Sequence, residues 1–276
     1  MTPDQYCQEK AAQSGSSFYY SFLFLPKEKR AAITALYAFC REVDDAVDDC
    51  TDPQVARIKL AWWREELAKL YLQKPRHPVT RALLPAVKRH DLPREQFEEI
   101  IDGMEMDLQH NRYPDFKSLK LYCYRVASVV GQLSAILFGV SDRHTLKYAH
   151  DLGLAFQLTN IIRDVGEDAR RNRIYLPLDE LARFGVSEQD ILARRHTPAF
   201  RGLMAFQVER AREFYARALA QLPMVDRRNQ RPGLIMAAIY QALLTEIERD
   251  DFQVLNRRTA LTPLRKFWLA WKTWIK

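Results

Sequence analysis

Two acidic segments carry the residue types best suited to chemistry: Asp44-Asp45-Ala46-Val47-Asp48-Asp49 and Asp164-Val165-Gly166-Glu167-Asp168. Each places aspartates four apart in a stretch patterned as helix. Residues at that spacing stand one above the other, with Cβ atoms about 5–6 Å apart, and like charges there repel. A hard divalent cation turns the repulsion into attraction. Magnesium takes oxygen ligands and is usually held by one or two carboxylates together with substrate phosphates. Two such clusters, far apart in sequence, predict a cavity with acid on opposite walls and a phosphorylated ligand clamped between them through metal.

Both clusters extend into longer polar stripes. Tyr37, Arg41, Asp44 and Asp48 recur at four, three and four, and Gln157, Asn160, Asp164 and Asp168 at three, four and four. Each set shares one helix face. The second stripe runs among Leu152, Leu154, Phe156, Leu158, Ile161 and Ile162. Unpaired buried carboxylates are costly, so a polar stripe in an apolar helix implies a cavity, water or a metal. The plainer reading of either cluster is a solvated acidic face or an intrahelical ion pair such as Arg41 with Asp45. Arg170-Arg171-Asn172-Arg173-Ile174-Tyr175-Leu176-Pro177 follows the second cluster. Guanidinium forks suit diphosphate oxygens, although arginines at a helix C-terminus are favoured by the macrodipole anyway. Ser14 to Tyr20 is a hydroxyl-rich loop that could donate to phosphate or serve as an N-cap. Tyr122 to Gly131 sets hydroxyls and small residues on an apolar helix, which suits close packing or space for a ligand.

The elements that must position these groups read as helices almost throughout. Expected segments are Lys27–Cys50, Pro53–Leu72, His77–Arg89, Pro93–His110, Ser118–Phe138, Asp142–Arg170, Phe200–Leu222, Pro232–Val254 and Pro263 to the C-terminus, with a turn at Pro177. Pro26 and Gly139 act as start and stop signals. No alternating β-branched run and no fixed-period repeat is evident. The 276 residues, 47% hydrophobic and 28% charged, fit one all-α domain over residues 1–276. Nine glycines and no Gly-rich loop disfavour Rossmann and P-loop architectures. Cys7, Cys40, Cys50 and Cys123 lack metal-type spacing and read as reduced thiols. The polar N-terminus is not a signal peptide. The uncharged run Val126–Ser141 is shorter than a spanning helix needs and reads as core. A formal charge of +7 permits a polyanionic partner, but dispersed basic residues and the lack of a nucleic-acid motif argue against nucleic acid.

In combination these segments resemble the squalene and phytoene synthases, the head-to-head isoprenoid synthases, over essentially the whole chain. The resemblance rests on Ser17-Phe18, on Tyr37 to Arg41 leading into Asp44 and Asp48, on Tyr122 to Gly131, and on Gln157 to Asp168 followed by Arg173-Ile174-Tyr175. Ser128 departs from the glycine usual after Val-Ala. The run Ile101–Asp107, the segment Arg231–Tyr240 and Ser16–Phe22 look most like the bacterial hopanoid-pathway branch. The resemblance implies an all-α isoprenoid synthase fold with a central cavity. It implies magnesium, or manganese in its place, on Asp44 and Asp48 and on Asp164 and Asp168 with Asn160. It implies prenyl diphosphate binding by Ser17, Phe18, Tyr37, Arg41, Gln157, Arg173, Tyr175, Tyr240 and Arg257, and proton transfer near Tyr122.

The expected reaction on that resemblance is condensation of two farnesyl diphosphates to presqualene diphosphate, for squalene and hopanoid biosynthesis, with no NADPH. The alternatives are a phytoene synthase acting on C20 substrates, an NADPH-dependent squalene synthase, and a non-catalytic helical scaffold at a membrane. A head-to-tail prenyltransferase or terpene cyclase fits Asp44 to Asp48 but not the Gln157–Asp168 block. Downstream isoprenoid enzymes are expected partners. The expected location is cytoplasmic, with contact to the inner membrane face. That contact is assigned to Pro263–Lys276, where Phe267, Trp271 and Trp274 share a helix face beside Arg265, Lys266, Lys272 and Lys276. Such a helix suits an anionic bilayer interface; alternatively it docks on the domain and closes the core.

Overall fold

The computed structural model describes residues 1–13, 21–22, 24–50 and 52–275. Among these there is no β-strand, only an isolated parallel bridge between Arg112 and Ile174. The helices in chain order are α1 (Pro3–Gln13), α2 (Lys27–Asp48), α3 (Pro53–Tyr71), α4 (Pro78–His90), α5 (Arg94–Gln109), α6 (Phe116–Cys123) and α7 (Val129–Phe138). They continue with α8 (His144–Arg170), α9 (Leu178–Arg183), α10 (Glu188–Leu192), α11 (Pro198–Gln221), α12 (Arg231–Arg249) and α13 (Pro263–Trp274). A π-helical turn, Tyr124–Ser128, joins α6 to α7, and a 3₁₀ turn, Gln253–Leu255, follows α12.

The sequence boundaries hold within a few residues for the long helices. Three differences have local causes. α1 forms where only a polar N-terminus was read; it buries a single side chain, Cys7, so it shows little apolar periodicity. α9 and α10 are short and are specified by turn chemistry: Ser187 and Asp190 form a reciprocal capping box on α10. α12 ends at Arg249 rather than Val254, because Asp251 and Phe252 turn left-handed and redirect the chain.

Two apolar clusters form the core. One joins α1 to α5 with α7, and includes the edge-on rings of Phe39, Trp63 and Phe97. The other gathers α8, α11 and α12. α8 is the axis shared by site and core. Its start is fixed by buried Asp226, which accepts from the backbone N–H groups of Ser141 and Asp142 and from Thr145 Oγ1. α7 and the π turn lie against α8 at backbone contact distance. A Cβ at Gly153 would stand 2.5 Å from the Ala127 carbonyl oxygen, and one at Gly131 would stand 2.6 Å from that of Ala149. Ser128 is accommodated there because its hydroxyl donates to the His150 carbonyl. The run Phe116–Phe138 is long and apolar enough to cross a membrane by composition, but half of its apolar window is buried in this packing.

Candidate active site

A cavity of about 420 Å³ lies between the two core clusters. Its polar end is lined by Tyr37, Arg41 and Asp44 from α2, and by Gln157, Asn160 and Arg163 from α8. Its far end is lined by Tyr148 from α8, Phe138 from α7 and Gly233 from α12. Asn160 and Tyr148 are about 18 Å apart along the helix axis at 1.5 Å per residue, so one helix spans the cavity from polar mouth to apolar depth. Met104, Leu152, Met236 and Leu243 add hydrocarbon to the walls.

Parts of both stripes line one cavity, Tyr37, Arg41 and Asp44 from α2 with Gln157 and Asn160 from α8, whereas Asp48, Asp164 and Asp168 are not among its lining residues; arginine already stands among the acids. Arg41 donates to Asp44 and to Asp45, each at 2.6 Å. The intrahelical ion pair is therefore real, and it forms part of the cavity wall. Asp48 receives Arg171 at 2.9 Å and Arg173 at 3.2 Å, which ties the end of α2 to the segment after α8. Asp164 receives Arg163 at 2.7 Å and Arg258 at 2.9 Å. Asp168 accepts no side-chain hydrogen bond among the described residues.

These surroundings separate the acids electrostatically. Loss of solvent pushes the Asp168 carboxyl up to about 7, with Asp164 adding repulsion and Arg173 opposing it. Loss of solvent likewise takes Asp44 to about 7, against the pull of Arg41 and with Asp48 and Asp107 raising it further. Burial acts upward on Asp164 as well, but Arg163 and Arg258 outweigh it and hold that carboxyl below the usual range.

Asp44 and Asp168 are carboxyls whose burial the surrounding arginines do not offset. Asn160 Oδ1 is buried without a hydrogen-bond partner, and its amide nitrogen reaches Gln157 at 3.3 Å. An orphaned amide oxygen beside hard carboxylate oxygens fits a magnesium-type donor set. Among the described residues no group of three His, Cys, Asp or Glu side chains forms a complete metal cage. The protein's contribution to such a site would be one or two carboxylates from each wall and the Asn160 amide from α8 alone, with remaining positions left for phosphate and water.

Other expected residues fall as follows. Tyr122 and Tyr240 line the cavity. Tyr175 sits beside it, stacked on Tyr122 with centroids 5.3 Å apart. Arg257 is not at the cavity: it pairs with Asp250 on the surface, and the neighbouring Arg258 takes the place expected for it. Ser17 and Phe18 lie outside the described residues. Reading the sequence did not select Arg163, Arg258 or Asp107 as site residues; it named Arg171 only within the run Arg170–Pro177 and gave Lys266 to the C-terminal helix rather than to the cavity. Arg163 was accessible, since it follows Asn160 by three and shares its face; Arg258 and Lys266 arrive from segments distant in sequence.

An all-helical cavity lined at one end by Asp44, Arg41, Arg163 and Arg258, with acids of α2 and α8 close by and a largely hydrocarbon interior, fits a prenyltransferase of the isoprenoid synthase class. The Squalene/phytoene synthase family model matches residues 11–265. The chain is 38% identical to a phytoene synthase of Arthrospira platensis, over 94% of this chain and 88% of that one. It is 36% identical to a chloroplastic phytoene synthase of Arabidopsis thaliana, over 94% of this chain and 63% of that longer protein. Its fold superposes on a dehydrosqualene synthase solved with a ligand, with a TM-score of 0.87 at 27% identity, covering 98% and 95% of the two chains. The chain belongs to the squalene/phytoene synthase family, whose members are prenyltransferases that condense two prenyl diphosphates head to head.

The narrower expectation of a presqualene diphosphate enzyme for squalene and hopanoid biosynthesis is corrected by these relatives, which are phytoene synthases. The cause is physical. Met104 and the Pro232–Tyr240 stretch, which carried the narrower resemblance, are walls of the cavity. Any long prenyl chain needs such walls, and their residue types do not encode how many isoprene units fit.

Proposed function

We propose that this protein is a phytoene synthase-type enzyme, condensing two C20 prenyl diphosphates head to head into a C40 product. The observation that carries the reading is the cavity itself, polar and arginine-lined at one end of α8 and mostly apolar beyond it. The identity to phytoene synthases over most of the chain supports the C20 substrate.

The roles of this chain's residues follow from their chemistry. Arg41 and Arg173 would take diphosphate oxygens, with Tyr37 and Gln157 orienting them; charge-assisted bonds of this kind stabilise the leaving group as it departs. Asp44 and Asp48 on one wall, and Asp164, Asp168 and Asn160 on the other, would hold magnesium, which when bound supplies neutralisation of diphosphate charge. The arginines now on those acids would exchange part of their contact for phosphate. Leu152, Phe156, Met236 and Leu243 keep water from the allylic cation, which water would quench. Tyr122 faces the same space and is suited to the proton transfer that follows carbon–carbon bond formation.

Incubation of the pure protein with geranylgeranyl diphosphate and magnesium, with product identified by mass, tests the proposal. A C40 hydrocarbon is expected. A product only from farnesyl diphosphate would overturn the chain length, and no diphosphate release from either would overturn the reaction.

The peripheral membrane contact belongs to this proposal too, in altered form. α13 docks on α12 through buried Ala270, and Trp274 turns inward to stack on Phe24 with centroids 5.2 Å apart. The exposed face is instead Leu264, Phe267, Trp268, Trp271 and Ile275. Arg265 pairs with Glu246 and Lys266 lines the cavity, which among the described residues leaves Lys272, over the Trp268 ring, beside the aromatic face; Lys276 lies outside the described residues. Insertion would therefore rest on apolar and aromatic area at the interface more than on charge.

A further inference from the structure

Asp107, near the end of α5, is absent from the cavity wall but stands directly behind it. Tyr122 donates its hydroxyl to Asp107 Oδ2 at 2.9 Å, and Tyr175 donates to Oδ1 at 2.8 Å. Both phenol protons are thus committed to one carboxylate. The rings are fixed as well: Tyr122 and Tyr175 stack, and Tyr113 stacks on Tyr175 with centroids 5.8 Å apart. Tyr122 is 5% exposed and Tyr113 2%, so neither hydroxyl orientation is averaged by solvent.

A phenol has one donor proton and two acceptor lone pairs. With its proton turned to Asp107, the Tyr122 oxygen keeps its lone pairs as acceptors, and Tyr122 is itself a wall of the cavity. A phenol so oriented can take a proton from substrate only if its own proton has somewhere to go, and Asp107 is in contact to receive it.

We propose that Asp107 is the positioning residue for Tyr122 and the terminal proton acceptor of the condensation. The inference rests on the proposed head-to-head reaction, in which joining the two chains costs a proton. As the substrate C–H bond breaks, its electron pair forms the new bond to the neighbouring cationic carbon. The proton passes to the Tyr122 oxygen while the Tyr122 proton passes to Asp107 Oδ2. The cation and the carboxylate both become neutral, and the tyrosine ends as it began. Tyr175 holds the second carboxylate oxygen, so that Oδ2 stays aimed at Tyr122. Desolvation lifts the Asp107 carboxyl to about 6, against the pull of Arg173, which makes it a readier acceptor than a solvated aspartate. A Tyr122 phenolate alone would be a poor resting base, since burial pushes that hydroxyl well above its ordinary range.

The test is a double-mutant cycle on product formation with Asp107→Asn, Tyr122→Phe and the pair, each checked for helical circular dichroism. Wild-type turnover is measured first: absence of any coupled prenyl product would sink the proposed reaction itself, separately from the relay. Asp107→Asn should lower kcat about 10²-fold, the scale of general acid–base assistance, with the loss falling on kcat more than on KM. In the Tyr122→Phe background it should cost less than about twofold, because the two residues act as one unit. An equal loss in both backgrounds, or a rise in KM with kcat unchanged, would overturn the relay and leave released diphosphate as the base. If Asp107→Asn does not fold, Asp107→Glu runs the same cycle with the charge kept and the carboxylate displaced by one carbon.

Discussion

Arg258 Nε lies 2.9 Å from Asp164 Oδ1, although Arg258 and Asp164 are separated by 94 positions in sequence. That contact brings the segment after α12 onto the acidic end of α8 and closes one side of the cavity mouth. Arg257, one residue earlier, is turned outward to Asp250. Arg258→Ala should therefore lower kcat/KM for a prenyl diphosphate roughly 10-fold or more, the scale of a charge-assisted hydrogen bond. Arg257→Ala should stay close to wild type in the same steady-state assay. The reverse ranking would place the functional arginine where sequence matching had put it.

Asp44→Asn and Asp168→Asn remove charge and almost no volume. Each should abolish measurable diphosphate release, a loss of about 10²-fold or more by comparison with other electrostatic groups, while helical circular dichroism is retained. Collapse of the circular dichroism signal would assign the acids to the scaffold instead.

The same two acids predict a pH dependence with a definite sign. Their folded carboxyls sit at about 7, above the roughly 3.9 of an unfolded aspartate. Between those limits the folded state binds more protons, so the stability these groups contribute is present at the acid end and lost as pH rises through about 7. Metal-free protein should show this as a Tm component falling from pH 5 to pH 7.5, flattened in Asp44→Asn and Asp168→Asn. Magnesium should raise Tm chiefly at the alkaline end, where the carboxylates are charged and free to bind. Scanning fluorimetry of wild type and variants, with and without the ion, decides it; slopes identical in all three proteins would refute it.

Gly166 lies between Asp164 and Asp168, and a Cβ there would come within 2.3 Å of the Leu255 carbonyl oxygen. Gly166→Ala must push the 3₁₀ turn Gln253–Leu255 off α8, and with it Arg258. Overpacking of this kind costs about 1–3 kcal/mol, so a lower Tm and a lower kcat/KM should appear together. Unchanged Tm would mean that the turn yields without resistance.

The exposed face of α13 can be tested without disturbing the face that docks. Trp268→Ser with Trp271→Ser removes two half-exposed rings and leaves Ala270 and Trp274 in place. Co-sedimentation with anionic vesicles should fall several-fold relative to wild type if interfacial insertion holds the protein there. Equal pelleting of both proteins would reject the tail as an anchor.

The alignment of each polar stripe was legible before the fold because helical spacing is enough to place Tyr37, Arg41, Asp44 and Asp48 on one face, and Gln157 to Asp168 on another. The long helices were legible for the same reason. What periodicity could not express was the contact between segments distant in sequence. Asp107 reads as one acid in Ile101–Asp107; only the bridge of Arg112 to Ile174 brings Tyr175 beside it. The π turn was invisible as well, since Tyr124–Ser128 has an unremarkable helical composition. The α13 face was misassigned at Trp274 because a three- or four-residue step leaves a wide arc, and only Phe24 determines which part of it faces inward.

Because α8 carries both the acids near its end and Tyr148 near its start, reactive head and hydrocarbon tail are registered against a single stiff rod. Changes around Tyr148 and Gly233, whose Cβ would meet the Tyr148 hydroxyl at 2.5 Å, act some three turns away from Asn160. On the proposed reaction, substrate length and ionisation chemistry would therefore be separable traits of this scaffold. A lineage can lengthen or shorten the chains it joins by tinkering with one end of a helix, and inherit the reaction at the other end intact.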